Sequence, residues 1–304
     1  MTRAAGAAAP RSEAELDDIL SRPAPSLGAT LARAPGDIIV LGAGGKMGAA
    51  LARMAKRADP LRRVIAVSRW SQHGLAAALN ESGVETLRAD LLDARALCAL
   101  PEVPNVVFMA GQKFGTAGDP SATWAMNAGV PALVAERFPG ARTVVFSTGN
   151  VYPLTHASAG GCRESDPPAP VGEYAWSCLA RERIFTAAAA RHGTPTALVR
   201  LNYAHDLRYG VLTDLAVRIA AGSPIDVSMG YVNVIWQGDA NVAALAALAH
   251  ASTTEPFIVN VAGPTVLRVA DLARELAARL DRRVELTGTE APDALLSDAT
   301  RMLT

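Results

Sequence analysis

The stretch DIIVLGAGGKMG, residues 37–48, decides the fold of this sequence. It begins with the apolar run Asp37–Leu41, which has the length and composition of a buried strand. Gly42, Gly45 and Gly48 follow at a spacing that permits a tight turn, a close approach of the backbone to a pyrophosphate, and close packing of a helix on the strand. The amides that begin such a helix face the bound anion. The stretch therefore predicts a dinucleotide-binding site.

The same order of strand and helix repeats through the first two-thirds of the chain. Strands are predicted over Asp37–Leu41, Val64–Ser68, Val84–Arg88, Asn105–Ala110, Thr143–Ser147 and Thr196–Leu201. Helices are predicted over Lys46–Ala58, Gln72–Glu81, Ser121–Phe138 and Gly172–Arg191. Apolar strands that alternate with helices indicate crossover connections and a parallel sheet covered on both faces. The predicted fold class is α/β, a Rossmann-like doubly wound parallel sheet with a smaller C-terminal lobe.

The pattern divides the chain into three parts. Residues 1–36 are expected to form an N-terminal extension with one short helix at Ser12–Leu20, where Ser12 and Glu15 have the spacing of a capping box. Residues 37–201 are expected to form the dinucleotide-binding core, and residues 202–304 a lobe that mainly binds substrate. The elements predicted in that lobe are Val211–Ala221 (helix), Tyr231–Trp236 (strand), Asp239–Ala251 (helix), Phe257–Val261 (strand) and Val269–Leu280 (helix). Residues 237–261 are expected to return to the core.

Composition and charge exclude several classes of protein. The chain carries 29 basic and 29 acidic residues, which removes the electrostatic case for binding nucleic acid or a membrane surface. No window approaches about 18 consecutive apolar residues, and charged residues interrupt the first 36, so neither a spanning helix nor a signal peptide is predicted. Cys98, Cys162 and Cys178 are widely spaced, as expected for free thiols in the cytoplasm. The histidines show no metal-ligand spacing, so no metal is expected.

Residues after the second and third strands bear on the choice of cofactor. The second strand ends at Ser68 and Arg69, where sites that prefer NAD usually carry Asp or Glu. Because an arginine there can hold a 2′-phosphate, NADP is favoured over NAD, although a solvated surface arginine would leave the same pattern. Asp90, with Leu91 beside it, follows the third strand; it could hold the adenine amino group or simply end the strand.

Four more motifs follow in order along the chain: Ala110-Gly111-Gln112-Lys113, Asn127, Ser147-Thr148-Gly149-Asn150-Val151-Tyr152, and Tyr174. Together with the glycine turn, this series resembles the extended short-chain dehydrogenase/reductases, the group of nucleotide-sugar epimerases and dehydratases. The resemblance covers about Asp37 to Leu286. It implies NAD(P) binding and hydride transfer on a sugar-like substrate.

The resemblance also implies roles for individual residues. The cofactor would be bound by residues of the glycine turn and of the ends of the strands: Gly42, Gly45, Lys46, Met47, Gly48, Ser68, Arg69, Asp90, Leu91, Ala110, Gly111, Lys113 and Asn127. Among these, Asn127 matches the family's structural asparagine. Thr148 would be the catalytic hydroxyl and Tyr174 the acid/base. A homodimer built on the two long helices, Ser121–Phe138 and Gly172–Arg191, is implied as well.

One catalytic position departs from the family. The family pattern is Tyr-x-x-x-Lys, and this chain has Tyr174 and Cys178. An i, i+4 pair lies on one helix face, where the family lysine lowers the pKa of the tyrosine and holds the nicotinamide ribose. A neutral thiol does neither, and an unperturbed phenol is only about 0.1% ionised at pH 7. Lys113 either serves the cofactor or replaces the lost charge directly. Cys178 itself is expected to be a buried inert thiol rather than a nucleophile.

The protonation of Tyr174 predicts a direction and leaves two classes of function open. Reducing a carbonyl needs the neutral phenol as acid, whereas oxidising an alcohol needs the phenolate as base, so reduction is less impaired. The leading hypothesis is an NAD(P)-dependent oxidoreductase or epimerase acting on a sugar, sugar acid or sugar nucleotide. The alternative is a non-catalytic NAD(P)-binding sensor or partner subunit. A dehydratase is weaker, because Gly149 and Asn150 stand where an Asp-Glu pair is usual. Tyr152 and Trp176 would line a sugar pocket or pack as ordinary aromatics.

Overall fold

A computed structural model describes residues 9–113 and 118–304 of the chain. Its centre is a seven-stranded parallel sheet. The strands, numbered along the chain, are β1 (Ile38–Leu41), β2 (Val64–Ser68), β3 (Glu85–Arg88), β4 (Asn105–Phe108), β5 (Arg142–Thr148), β6 (Thr196–Leu201) and β7 (Phe257–Val261). Their order across the sheet is β7-β6-β5-β4-β1-β2-β3. The order reverses between β1 and β4, which confirms the predicted doubly wound α/β fold.

The middle of the sheet is buried on both faces. In β1, Ile38 pairs with Val64 of β2 on one side and with Asn105 of β4 on the other. All residues of β1 and β4 are buried, and apart from Asn105 their sequences are apolar without alternation. Because the strands are parallel, the loops after their last residues gather at one edge of the sheet.

The helices are α1 (Glu13–Leu20), α2 (Leu27–Leu31), α3 (Gly48–Ala58), α4 (Leu75–Glu81), α5 (Ala94–Cys98), α6 (Pro120–Trp124), α7 (Val130–Arg137), α8 (Gly172–His192), α9 (Val211–Ala220), α10 (Gln237–Ala246), α11 (Val269–Arg279) and α12 (Thr300–Leu303). A π-helical turn, Ala125–Gly129, joins α6 to α7, so the predicted helix over 121–138 is continuous but contains a local π-bulge. The helix predicted from Lys46 begins at Gly48, because the amide of Gly45 turns back to the carbonyl of Gly42.

The C-terminal part is more irregular than its sequence pattern. α9 and α11 pack together over a small core that includes Leu215, Val232 and Ala273. The strand predicted over Tyr231–Trp236 is wrong as a single element. Its two halves pair with different partners, Tyr231–Val232 with Leu267–Arg268 and Ile235–Trp236 with Ala204–His205. The other short pairs are Ile225–Asp226 with Leu286–Thr287 and Thr155–His156 with Asp293–Ala294.

The N-terminal helices pack against the core rather than projecting from it. Ser12 caps α1 by accepting a hydrogen bond from the amide of Glu15, as the capping spacing predicts. Leu20 of α1 and Leu31 of α2 are completely buried, and the two helices lie against α3 and α10. The low apolar content of this segment hid the burial, because a few leucines at helical spacing suffice to anchor two short helices. No helix in the described residues is long and apolar enough to span a membrane.

Candidate active site

The glycine turn joins β1 to α3 by packing that only glycine allows. Gly42 has φ of +94°, and a Cβ there would lie 2.6 Å from the amide nitrogen of Ala110. A Cβ on Gly48 would lie 2.6 Å from the Cα of Ala43. By contrast, a Cβ on Gly45 would meet only the carbonyl oxygen of Gly42, at 3.4 Å. The backbone at Gly45 is thus open to a ligand, while the flanking glycines let the turn close.

A cleft of about 220 Å³ opens over this turn at the carboxyl edge of the sheet. Its lining includes many of the predicted cofactor residues: Gly42, Gly45, Ser68, Arg69, Asp90, Leu91, Ala110 and Gly111. Ser71, which sequence analysis missed, is also in the lining, two residues after Arg69. A Cβ on Gly44 would come within 2.3 Å of the Ser68 Oγ, so the turn packs directly on the end of β2. These residues form a cradle of the kind that holds a dinucleotide.

The last three residues of the glycine turn, Lys46, Met47 and Gly48, lie outside this lining. Lys46 is exposed, and its Nζ lies 4.3 Å from the ring centroid of Tyr209, which comes from the loop before α9. The Tyr209 hydroxyl donates to Oε1 of Gln237 at 2.5 Å. Met47 is partly buried against the core. Lys46 is therefore held by the C-terminal part of the chain at the edge of the cradle.

Tyr174 and Thr148 meet at the same edge of the sheet. Thr148 is the last residue of β5 and Tyr174 lies in the first turn of α8, near enough to the Thr148 hydroxyl for that hydroxyl to lower the pKa of the phenol. The Thr148 hydroxyl also donates to Oδ1 of Asn150 at 3.0 Å. Burial raises the pKa of Tyr174 well above its usual value, and the neighbouring Cys178 adds to the rise. The phenol is therefore a proton donor at neutral pH.

Cys178 lies one turn along α8 from Tyr174, and the neighbouring phenol lowers the pKa of its thiol. The residue is buried. Desolvation raises the pKa of the thiol, and the positive charge of Arg181 opposes this rise. A thiol held in its protonated form is a poor nucleophile, in line with the inert role that the sequence predicts.

Lys113 and Asn127 do not line the cleft, and their places differ. Lys113 is exposed; desolvation by surrounding protein lowers its pKa, as does repulsion from Lys46. Asn127, within the π-helical turn, is completely buried. Its Oδ1 accepts the amide of Gln112 at 2.8 Å, and its Nδ2 donates to the Ser177 Oγ at 3.0 Å. Asn127 thus ties the segment after β4 to α8, as expected of the family's structural asparagine.

Arg181 is the functional candidate that sequence analysis missed. This buried side chain extends from α8 to the carboxyl edge of the sheet, where its Nη1 donates to the carbonyl of Phe146 at 2.7 Å. Its Nη2 donates to Oδ1 of Asn127 at 2.8 Å. A Cβ on Gly111, in the cleft lining, would lie 2.7 Å from that Nη2. The available signal was the spacing, since Arg181 lies seven residues after Tyr174 and three after Cys178 on one helix.

A second buried network lies beside Tyr174 and Thr148. Glu182 and Arg200 form an ion pair of 2.7 Å, and Glu182 also accepts a hydrogen bond of 2.6 Å from the Ser147 hydroxyl. Arg200 Nη1 donates to the Tyr152 hydroxyl at 2.8 Å. Tyr152 is therefore a packing aromatic, while Trp176 of α8 is 52% exposed. No cluster of His, Cys, Asp and Glu suited to a metal occurs among residues 9–113 and 118–304.

A glycine cradle at the switch point of a doubly wound sheet, with a tyrosine and a threonine at its edge, defines a dinucleotide-binding protein of the Rossmann class. The profile of the NAD dependent epimerase/dehydratase family matches residues 38–262. The chain belongs to this family, as its motifs predicted. No curated protein sequence matches the chain.

Three solved structures illustrate what the fold of this chain is similar to. A dTDP-glucose 4,6-dehydratase from Streptomyces venezuelae with bound NAD has a TM-score of 0.74 and 16% identity, covering 88% of this chain and 89% of its own. The UDP-glucuronic acid 4-epimerase of Bacillus cereus, in complex with NAD, has a TM-score of 0.72 and 17% identity, covering 88% and 90%. The UDP-glucose 4-epimerase of Thermus thermophilus, in complex with NAD, has a TM-score of 0.71 and 18% identity, covering 88% and 92%. At these identities the likeness shows the fold.

Proposed function

We propose that this protein is an NAD(P)-dependent oxidoreductase or epimerase that acts on a sugar, sugar acid or sugar nucleotide. The observation that carries the proposal is the proximity of Tyr174 to Thr148, at the same edge of the sheet as the glycine cradle. When bound, the nicotinamide would supply or accept the hydride. Tyr174 would give or take the proton of the reacting oxygen, and Thr148 would hydrogen-bond that oxygen and hold it in place.

The cofactor proposal rests on the cleft and its lining. The pyrophosphate would lie against the open backbone at Gly45 and the start of α3, and the adenine beside Asp90. Arg69 and Ser71 lie together in the lining beyond β2, and no carboxylate stands at Ser68. A guanidinium and a hydroxyl suit a 2′-phosphate, so NADP remains favoured over NAD.

The protonated phenol favours one direction of reaction. Because the pKa of Tyr174 is raised, the phenol donates a proton to a carbonyl oxygen without prior ionisation. Oxidation of an alcohol would first require a phenolate, which is rare at neutral pH. Carbonyl reduction is thus the easier half-reaction, and the chain relies on something other than the family lysine for the reverse.

A homodimer is proposed on α6 to α8. These helices lie side by side, and Trp124, Leu133 and Trp176 on them are 38%, 36% and 52% exposed. Large apolar side chains clustered on neighbouring helices are typical of an interface. Sedimentation of the wild type and of Trp176→Glu would test this, since a dimer on this face should dissociate in the variant.

The proposed activity is tested by screening for turnover. The protein is mixed with NADPH or NADH and a panel of aldoses, ketoses and sugar nucleotides, and the absorbance of the reduced nicotinamide is followed. On any substrate found, Tyr174→Phe should reduce the rate by about 10²–10⁴-fold, as expected for loss of an acid/base group. Full turnover by that variant would rule out the proposed role of Tyr174.

The second candidate function is a cofactor-binding sensor or partner subunit without turnover. The observation that favours it is Cys178, which stands at the lysine position beside the phenol. Retention of both Thr148 and Tyr174 argues for the enzyme. Tight cofactor binding with no substrate in the panel, and no gain of activity in Cys178→Lys, would support the sensor.

A further inference from the structure

Arg181 is a buried cation without a carboxylate partner in the described part of the chain. Its guanidinium donates to the carbonyls of Phe146 and Asn127 and to the Asn127 side-chain amide, all of them neutral. The other two buried arginines differ, since Arg200 pairs with Glu182 and Arg62 with Asp59. A buried charge that lacks an opposite charge is costly to the fold. Such a charge favours the ionisation of any acidic group near it.

Acidic groups near Arg181 are found on its own helix. Cys178 precedes it by three residues and Tyr174 by seven, so all three lie along one face of α8. The positive charge of Arg181 lowers the pKa of both groups, against the larger effect of burial. Arg181 is thus set to stabilise negative charge on Tyr174, one turn beyond the place of the family lysine.

The charged groups that face the Tyr174–Cys178 pair from neighbouring elements are few. Glu182 points to Arg200 and is neutralised by it. Lys113, after β4, acts on Cys178 and is repelled by Lys46 of the glycine turn. The positive charge named among the causes that shift the pKa of Tyr174 is that of Arg181, not that of Lys113. Arg181 is therefore the strongest fixed positive influence on the phenol.

We infer that Arg181 replaces the missing lysine as the source of positive charge for Tyr174, so that the charge of the catalytic tetrad has moved from position 178 to position 181. The inference rests on the proposed function and deepens it. Arg181 is a positioning residue in this account, since it acts through Tyr174 and not on the substrate.

The step that benefits is the proton transfer. In carbonyl reduction a bound reduced nicotinamide would supply the hydride to the carbonyl carbon, and the phenolic O–H of Tyr174 would break as its proton passes to the carbonyl oxygen. The phenolate that remains carries the negative charge and later takes a proton from water. Arg181 stabilises that phenolate, and in the opposite direction it stabilises the base that accepts the alcohol proton. The family lysine's other task, holding the ribose, is not replaced by Arg181.

The test follows the protonation of Tyr174 directly. Difluorotyrosine, whose phenol is more acidic, is placed at position 174, and its ¹⁹F resonance is titrated in the otherwise wild-type protein and in Arg181→Met. We expect the midpoint to rise by about one pH unit in Arg181→Met, which is a tenfold loss of phenolate at fixed pH. Arg181→Lys keeps the charge, so its midpoint should differ from that of the wild type by less than about half a pH unit.

Relocating the charge separates electrostatics from mere support of the fold. Arg181→Met/Cys178→Lys should bring the midpoint back to the wild-type value or below, although it removes the contacts to Phe146 and Asn127. Lys113→Met, the control for an exposed charge, should leave the midpoint unchanged. Equal midpoints in the wild type and Arg181→Met would overturn the inference. So would a shift that Cys178→Lys does not reverse. If Arg181→Met fails to fold, the double variant and Arg181→Lys decide in the same way.

The titration requires neither cofactor nor substrate, so its outcome is distinct from that of the proposed function. If the midpoint shifts in Arg181→Met but the protein binds no NADPH, Arg181 supplies the charge to Tyr174 and the proposed oxidoreductase function is wrong. Binding and turnover with an unshifted midpoint would retain the enzyme and reject Arg181. With a substrate in hand, oxidation by Arg181→Met should be about tenfold slower at pH 7 with KM little changed, and Arg181→Met/Cys178→Lys should recover it.

Discussion

The two ends of the cleft differ in how they are built. At the proposed cofactor end the backbone forms the cleft: Gly42 and Gly48 close the turn, and the backbone at Gly45 is open to the cleft. At the catalytic end side chains provide it, and there the lysine of the family pattern is a cysteine, Cys178. No other part of the chain can replace the backbone of the glycine turn. The charge of a lost side chain, by contrast, can be supplied from another position, such as Arg181.

Residues for cofactor binding and residues for proton transfer can therefore change independently within one family. The cofactor end keeps the pattern of its family in the glycine spacing and the sheet order. The catalytic end keeps Tyr174 and Thr148 but holds the phenol protonated. Changes at the first end should abolish binding, while changes at the second should alter rate and pH dependence with binding intact.

The largest expected effect is at the glycine turn. Gly48→Val adds a Cβ that would lie only 2.6 Å from the Cα of Ala43. We expect NADPH binding to fall by at least about 100-fold and the free energy of unfolding by about 1–3 kcal/mol, because the overpacked backbone must shift. Fluorescence titration and urea denaturation measure the two effects.

Gly129→Ala is the matched control. Gly129 lies in the π-helical turn, where an added Cβ would meet nothing within 4 Å. The affinity of Gly129→Ala for NADPH should stay within about twofold of the wild type, and its free energy of unfolding within about 1 kcal/mol. Unaltered NADPH binding by Gly48→Val would show that the turn is not the cofactor site.

The next effect concerns pH at the catalytic end. Since the pKa of Tyr174 is raised, the phenolate fraction grows about tenfold per pH unit below that pKa. Oxidation of an alcohol substrate should therefore accelerate about 100-fold from pH 7 to pH 9, while carbonyl reduction, which uses the neutral phenol, stays nearly flat. Initial rates in both directions measure this. An oxidation rate that no longer increases above about pH 7 would mean that the pKa of Tyr174 is lowered rather than raised.

A smaller effect should distinguish the two cofactors. Arg69→Ala removes the guanidinium that lies with Ser71 in the cleft lining. We expect affinity for NADPH to fall by about 10–100-fold, as for loss of a charge-assisted hydrogen bond, with NADH within about twofold. Titration of one variant with both nucleotides provides its own control. Equal losses for NADPH and NADH would contradict the preference for NADP.

The smallest effect should come from the N-terminal helices. Asp17 of α1 pairs with Arg53 of α3 at 3.2 Å and with Arg208 at 2.9 Å, next to Tyr209, which contacts Lys46. Asp17→Asn should weaken NADPH binding about twofold to fivefold and cost at most about 1 kcal/mol of stability, since both pairs are partly exposed.

Asp18→Asn is the control for that variant. Asp18 pairs with Arg22 and Arg57, and neither pair involves the loop that holds Tyr209. It should change stability by a similar amount but leave NADPH binding as it is. Identical binding by both variants would remove the proposed link between α1 and the glycine turn.

The core of the fold was predictable from the sequence because its signals there are local. Runs such as Val64–Ser68 and Asn105–Phe108 are continuous and apolar, since their strands are buried on both faces. The division of Tyr231–Trp236 between two partners was not predictable, because pairing in short strands is set by distant residues. The burial of Leu20 and Leu31 was missed for another reason: the segment has a low apolar content, yet a few leucines at helical spacing anchor its two helices.

At the site, single residues were predictable where a motif fixed them. Tyr174 and Thr148 came from such motifs, and the structure brings them together. Arg181 was not, because its significance lies in the lack of a carboxylate partner among the described residues, and that is visible only once the packing is known. Lys113 was expected near the cofactor but lies outside the cleft lining, in a segment whose path the sequence does not determine.

The central claim is that the glycine cradle binds a nicotinamide dinucleotide at the edge where Tyr174 lies. Equilibrium titration of the purified protein with NADPH, followed by the fluorescence of the nicotinamide, tests it most directly. The account predicts saturable binding of one nucleotide per chain, with an affinity that Tyr174→Phe leaves within about twofold and that Gly48→Val lowers by at least about 100-fold. Absence of saturable binding by NADPH and by NADH would contradict the account.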